Sequence, residues 1–445
     1  MNVTRRLQMD EQTLRELEIF TDASGGAGVC ARIDSTRTRL GSQALKARLR
    51  HPFVETREIV SVQQDLAFLR THGSVLPFDD ELLHGADRYA RSRIDVVDGG
   101  RPGARVAALR LACRHPDVVA ELSRGLVFAT SLANLVQDHC RKLLARSPGG
   151  GLELLLRGAA AAANEVTTGS AGSGGSAWTV FRRDARLRGR SAESLRHLVA
   201  AAAELDALAS MAAFGDDGAC CEPEVTGDEP RFVARGLYHP LLSHPVGNGI
   251  ELDRESHVVF LTGPNMAGKT TFLKSVGLAQ VRAQAGLLAP AQALRLVPVE
   301  AVFTAMNTAD DLSAGISYYL AEVRRMRQAA ELLAGGRRAL VLVDEAFRGT
   351  NVLDATDATR LVIGACAGLT DSTFVFASHL SELASALIPH GVALKAFSGE
   401  VRGGVPSYDY RIADGISDQR LGLLLLKQEG VLDLLAEAAR RRTGD

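Results

Sequence analysis

The spacing of apolar residues changes near residue 215. Upstream, Leu195, Leu198, Ala202, Leu205 and Leu208 recur every three or four positions, and residues 104–147 keep a similar period, which lays one apolar face along each segment. That period predicts helices and makes residues 1–214 an all-α half. Downstream, short β-branched runs at 258–262, 339–343 and 373–377 alternate with amphipathic segments. Alternation of strand and helix predicts a mostly parallel, covered sheet, and hence an α/β domain over 231–445. Between the halves, residues 215–230 combine turn formers with net acid, the mark of a solvated linker. Within the helical half, Thr167-Thr-Gly-Ser-Ala-Gly-Ser-Gly-Gly-Ser176 is too polar and glycine-rich for a packed element and is predicted to be a mobile loop.

A chain of 445 residues, 46% hydrophobic and 23% charged, has room for two or three domains, each with its own core. The six cysteines form no Cys-x-x-Cys pair and no histidine cluster accompanies them, so neither zinc nor disulfides are expected and a reducing compartment suits the fold. The N-terminus lacks the apolar core of a secretion signal, and nowhere do eighteen uncharged apolar residues run together. A cytoplasmic protein with no membrane partner is therefore expected. Net charge is −1 but uneven: residues 1–200 hold 29 Lys and Arg against 22 Asp and Glu, whereas 201–230 hold eight acids and no base. Any nucleic-acid contact is expected in the first half. Its strongest local signal is 181–190, with five arginines and one aspartate; a phosphate-backbone contact and the solvated start of a helix both fit that composition.

The candidate chemistry lies in the second half. Gly263-Pro-Asn-Met-Ala-Gly-Lys-Thr270 follows the predicted strand at 258–262, and Phe272, Val276, Ala279 and Ala283 then recur at helical spacing. The glycines let the backbone curl so that N–H groups meet phosphate oxygens, and the following helix offers its positive end to the same charge. Gly263, Pro264, Asn265, Met266, Ala267, Gly268, Lys269, Thr270 and Thr271 are the expected cradle for ATP. Lys269 is expected to bridge the β- and γ-phosphates and Thr270 to ligate Mg2+.

Ala339-Leu-Val-Leu-Val-Asp-Glu345 supplies an acidic partner. Its apolar residues predict a buried strand whose end brings Asp344 to the Mg2+ shell and Glu345 to an attacking water. His379 follows another apolar strand, and at that sheet edge its ring is expected to reach the γ-phosphate or the same water. Asp310-Asp-Leu-Ser-Ala-Gly-Ile-Ser-Tyr-Tyr-Leu-Ala-Glu322 opens a further helix, continued by Val323, Met326, Ala330 and Leu333.

In sequence and in order, these segments resemble the MutS family of DNA mismatch-repair ATPases. TGPNMAGKTT is close to the family's TGPNMGGKST, and DDLSAGISYYLAEV stands where the family has its DDL-x-x-G-x-STFM-x-E signature. VLVDEAFRGTNVLDATDAT, FASHLSEL and Tyr408-Asp-Tyr-Arg-Ile-Ala-Asp-Gly-Ile416 match later family blocks, while Met9–Glu18, 33–41 and 49–53 look like the start of its lever domain. The resemblance implies an α/β P-loop ATPase domain of the ABC type, preceded by an all-α lever domain. It further implies a homodimer with composite ATP sites, in which Ser317 reaches the γ-phosphate held by the other subunit. Catalysis would rest on Glu345, His379 and Lys269, and the metal on Thr270 and Asp344. DNA, bound through the helical half, and other repair proteins are the implied partners.

Departures from the family pattern carry expectations of their own. The resemblance starts at the lever-like segment, without the family's mismatch reader or connector, and a shortened or missing clamp is expected near 165–190. Ala267 stands for a usual glycine, Tyr318 and Tyr319 for Thr and Phe, and Phe347 for the glycine before Arg348, with a base-stacking aromatic missing around Pro245 and Val246. An ATP-switched scaffold that binds a protein partner and no longer contacts DNA is the alternative function.

Overall fold

A computed structural model describes residues 5–73, 75–97, 103–170, 176–215, 220–227, 229, 231–306, 318–402, 405–417 and 430–443. The chain forms two compact units, one of residues 30–49 and 60–215, the other of residues 1–29, 50–59 and 216–445.

After α1 (Glu11–Glu16), which belongs to the larger unit, come α2 (Val29–Ile33), α3 (Arg39–Arg50), α4 (Thr56–His72), α5 (Asp80–Ala90) and α6 (Ala104–Arg114). The helical unit continues with α7 (Pro116–Leu144), α8 (Gly150–Ser170), α9 (Ala177–Asp184), a π-helical turn at Ala185–Arg190, and α10 (Ala192–Ala213). By length and composition α7 alone among the described helices is long and apolar enough to cross a membrane. It is amphipathic: Leu122, Leu126, Ala129, Ala133, Val136 and Cys140 are buried, while Arg124, Arg141 and Lys142 are exposed. Its neighbours are α5 and α8. Gly125 permits the close approach to α5, because a Cβ there would lie 2.2 Å from Tyr89 Cδ2. Asp206 of α10, itself buried, accepts the Arg37 and Thr38 amides at 3.0 and 2.9 Å, capping the start of α3 from another helix.

Two local expectations change here. Residues 167–170 continue α8 instead of forming a loop, since Thr167, Thr168 and Ser170 return their hydroxyls to carbonyls three or four residues back and Ser170 is buried. Residues 171–175 lie outside the described residues. The arginine run is not uniformly solvated either. Arg188 is withdrawn onto the buried Asp184, with Nε and Nη2 2.6 and 2.7 Å from its carboxylate oxygens.

The larger unit carries two sheets. β4 (Val258–Thr262), β6 (Ala301–Ala305), β7 (Ala339–Asp344), β8 (Thr373–Ser378), β9 (Ala393–Arg402) and β10 (Val405–Asp414) form a six-stranded sheet in the order β10-β9-β4-β8-β7-β6. All its pairings are parallel except β9 with β10. β4, β6, β7 and β8 are buried along their whole length, which explains their unbroken apolar runs. α11 (Lys269–Gln284), α12 (Tyr318–Ala334), α13 (Val352–Cys366) and α14 (Val431–Thr443) complete the unit's longer helices among the described residues.

A second sheet, not anticipated from the sequence, orders β1 (Glu224–Val225), β5 (Ala293–Leu296), β2 (Phe232–Leu237) and β3 (Asn248–Leu252) with antiparallel pairing around β2. β1 lies inside the segment expected to be a solvated linker. It was hidden there because two residues of strand leave no periodic signal.

Residues 5–29, expected in the helical half, pack in this unit. Leu7, Leu14, Leu17 and Ile19 are buried, Gln8 bridges to Ala301 of β6, and Arg325 of α12 reaches both Asp10 and Thr13. The segment's placement with the helical half rests on the resemblance of 9–18 to a lever domain, but the sheet and helix that bury it come from residues about three hundred positions away.

Candidate nucleotide-binding site

The loop after β4 turns through backbone that side chains resist. Gly263 has φ 150 and Gly268 φ 103, and a Cβ on Gly263 would meet the Phe397 carbonyl oxygen at 2.9 Å. Met266, at φ 70, takes the left-handed region and leaves its side chain in solvent, whereas Ala267 is fully buried beneath the loop. Lys269 opens α11 and is 5% exposed. Its Nζ donates to the carbonyls of Gly263 (2.7 Å) and Pro264 (3.2 Å) and stands 3.7 Å from Glu345 Oε1. Burial pulls the lysine below its ordinary range, and the charges of Glu345 and Asp344 counteract that.

The two acids end β7 two strands away from β4, with β8 between them. Thr270 Oγ1 donates to Asp344 Oδ2, while Asp344 Oδ1 is buried with no hydrogen-bond partner. Burial and the neighbouring Glu345 charge push Asp344 up, against the Thr270 hydrogen bond. Glu345 behaves differently. It sits at φ 49, its amide donates to the Ala377 carbonyl at 2.8 Å, and its carboxylate meets His379 Nδ1 at 3.2 Å and the Arg348 guanidinium. Burial would raise it, but the His379 hydrogen bond and the charges of Arg348 and Lys269 outweigh burial and hold Glu345 below the usual carboxylate range. Adjacent carboxylates are thus driven apart, Glu345 down and Asp344 up.

A cavity of about 610 Å³ opens over this loop, within the range of small-molecule sites. Asn265, Met266, Gly268, Lys269, Thr270, Thr271, Glu345 and Arg348 form one side, and residues of the β2–β3 connection, including His239, His244 and Asn248, form another. Exposed Tyr410 supplies an aromatic face, backed by the buried ring of Phe397. Tyr410 is held at φ 56 in the irregular stretch of β10 between Tyr408 and Ile412, where Asn248 clamps the strand: its Nδ2 donates to the Tyr410 carbonyl and its Oδ1 accepts the Ile412 amide, both at 2.9 Å.

Most residues singled out from the sequence therefore converge. Gly263 and Pro264 receive the Lys269 ammonium, Asp344 joins Thr270, and His379, half exposed, joins Glu345. Ser317 and the rest of 310–317 lie outside the described residues. Sequence reasoning missed Asn248, the aromatic wall at Tyr410 and Phe397, and Glu322, whose buried carboxylate accepts the Arg348 and Gly349 amides at 3.1 Å each and so fixes the turn after β7. The Tyr-x-Tyr pattern at 408–410 was the available signal for Tyr410. Two departures from the family pattern meet: Tyr319 packs against buried Phe347, ring centroids 6.1 Å apart, with Phe347 at φ 64 where a glycine would be unstrained.

The profile of MutS domain V matches residues 259–443, which include this loop, both acids and His379. Over these residues the chain is similar to the MutS family. Its similarity extends to the DNA mismatch repair protein MutS of Synechococcus sp., 34% identical over 267 residues, covering 57% of this chain and 28% of the relative. MutS of Granulibacter bethesdensis is 32% identical over 54% of this chain and 27% of its own length, and MutS of Chloroflexus aurantiacus 36% identical over 38% and 18%. The chain thus spans less than a third of the length of each of those relatives.

Proposed function

We propose that the chain is an ATP hydrolase working as a MutS-type homodimer in the cytoplasm. The observation that carries this reading is the open acid pair at the cavity: Thr270 bonded to Asp344, and Asp344 Oδ1 buried without a partner. That oxygen and hydroxyl fit a hard divalent cation. Among the described residues no group of three or more His, Cys, Asp and Glu gathers, so further ligands would come from phosphate and water. Mg2+ bound by Thr270 and Asp344 would supply positive charge to the triphosphate. Lys269 exchanges the Gly263 and Pro264 carbonyls for the β- and γ-phosphates. Glu345, kept ionised, orients the attacking water and takes its proton, and His379 steadies that carboxylate beside the γ-phosphate. Tyr410 offers a face to the base. The partner's Ser317 closes the γ-phosphate end, which makes hydrolysis depend on dimer closure.

DNA contact belongs to the helical unit on this reading. Arg182, Arg186 and Arg190 follow one another at four-residue spacing along α9 and the π turn, all at least partly exposed. α6, which packs on α9, carries Arg105, Arg110 and Arg114 and no acid. Such a surface suits a phosphate backbone.

ATP turnover measured with no DNA, with homoduplex, and with mismatched and junction DNA tests both parts. A DNA-dependent change in rate, with binding that weakens steeply with salt, is expected. Turnover unaffected by every DNA form, with no DNA binding at low salt, would favour an ATP-switched scaffold for a protein partner. Absence of ATP hydrolysis would remove the enzymatic reading altogether.

A further inference from the structure

One buried carboxylate beside the cavity has no part in the chemistry above. Glu18 directly follows Leu17, the C-terminal cap of α1. It is 7% exposed and has φ 55, a backbone region that a glutamate occupies only when its surroundings impose it. Those surroundings are specific. Leu17 is fully buried against α11, where a Cβ on Gly277 would lie 2.6 Å from Leu17 Cδ2. Glu16 accepts the Thr304 hydroxyl at 2.5 Å and the Met306 amide at 3.1 Å, and the Glu18 carbonyl accepts the Val29 amide at 2.9 Å. The segment is pinned on both sides, so the Glu18 side chain cannot drift from its partners.

Those partners belong to the frame of the cavity. Oε1 of Glu18 accepts Lys274 Nζ at 2.7 Å and the Ala23 amide at 3.2 Å, and Oε2 faces His239 Nε2 at 3.7 Å. Lys274 lies one helical turn beyond Thr270 on α11, and His239 lines the cavity from the β2–β3 connection. One carboxylate therefore grips the helix that carries Lys269 and Thr270 and stands within ion-pair reach of the opposing wall.

We propose that Glu18 is a positioning residue for the nucleotide: by holding Lys274 and His239 together, it fixes α11 against the cavity wall. The inference rests on reading the cavity as a nucleotide site. Removing the carboxylate charge leaves a nearly buried ammonium without this counter-ion, which loosens the cradle. Glu345 is held by its own contacts to His379, Arg348 and Lys269, so turnover of nucleotide already bound does not depend on Glu18.

Equilibrium titration of the full chain with a fluorescent ATP analogue and Mg2+, alongside steady-state ATP hydrolysis, separates the two effects. Glu18→Gln is expected to raise the nucleotide Kd at least about fivefold, with kcat at saturating ATP within about twofold of the wild type. Lys274→Met is expected to raise Kd likewise, and the double variant to be no weaker than the weaker single one, because both break one contact. Should Glu18→Gln fail to unfold cooperatively, Lys274→Met carries the same test. An unchanged Kd in folded variants, or a loss confined to melting temperature or kcat, overturns the positioning role and leaves the nucleotide reading intact. A wild-type chain that binds no ATP overturns both.

Discussion

Asp184 in the helical unit and Asp344 in the α/β unit are both buried aspartates with a hydroxyl and a basic side chain nearby, yet their surroundings finish differently. Asp184 accepts the Tyr89 hydroxyl at 2.9 Å and two Arg188 nitrogens, and Arg188 spends Nη1 on the carbonyls of Ser92 and Ile94 at 3.1 and 2.8 Å. Burial, then the Asp184 charge, drives the Tyr89 phenol far above its ordinary range, so it remains a donor. Asp344 has one oxygen bonded to Thr270 and the other bonded to nothing. A buried oxygen left without a donor costs on the order of 1–3 kcal/mol, and one that borders a cavity is placed to be met by a ligand. Burial and charge are common to both clusters. What distinguishes a site is the unfilled acceptor at a cavity, while the filled cluster locks a π turn in place.

The largest expected effect breaks the closed cluster. Asp184→Ala strands Arg188 and should cost roughly 3–5 kcal/mol, read as a lowered urea midpoint; a loss below about 1 kcal/mol would show that the cluster is not a lock. Asp65 sharpens the contrast from within the helical unit. It is buried, and burial pushes it up to about 6, despite the Leu152 amide and the Arg48 charge. The folded chain therefore holds that proton more tightly than the unfolded chain. Its contribution favours the fold below the unfolded value near 3.8 and is lost as pH rises through about 6. Asp65→Asn should remove this dependence and gain on the order of 2 kcal/mol at pH 8; equal stability differences at pH 3 and pH 8 would contradict it. Asp344→Asn, without nucleotide, should leave stability unchanged or raise it by about 1 kcal/mol, while Mg2+ no longer tightens nucleotide binding. A destabilisation like that of Asp184→Ala would erase the comparison. The smallest effect concerns the exposed arginines: replacing Arg182, Arg186 and Arg190 by Gln should flatten the salt dependence of DNA binding by about 0.9 in log–log slope per lost phosphate contact, with no change in melting temperature.

How much of this was readable in the sequence follows from where each contact is made. The loop from Gly263 to Thr270, the acids at 344–345 and His379 each sit at the end of an unbroken apolar run, and a parallel sheet brings such ends to one edge. Their convergence was legible for that reason. Glu18, Asn248, Glu322 and Tyr410 act on partners more than twenty residues away, through carboxylates and amides that look like any surface polar residue in one dimension. The N-terminal segment was placed with the helices, and nothing in one dimension showed the sheet that buries it. Thr167 to Ser170 showed loop composition, which hydroxyl-to-carbonyl bonds and one buried serine overrode. Arg188 counted as positive charge in the sequence, and only the fold shows that charge spent internally.

The central claim is that an ionised Glu345 beside the cavity activates water for ATP hydrolysis. Single-turnover hydrolysis and equilibrium ATP binding by Glu345→Gln, compared with the wild-type chain, test it most directly. The account expects Mg2+-dependent ATP binding as tight as in the wild type or tighter, with the hydrolytic step slowed by about 10²-fold or more. Hydrolysis that survives within about threefold, or a wild-type chain that neither binds nor hydrolyses ATP, would contradict it.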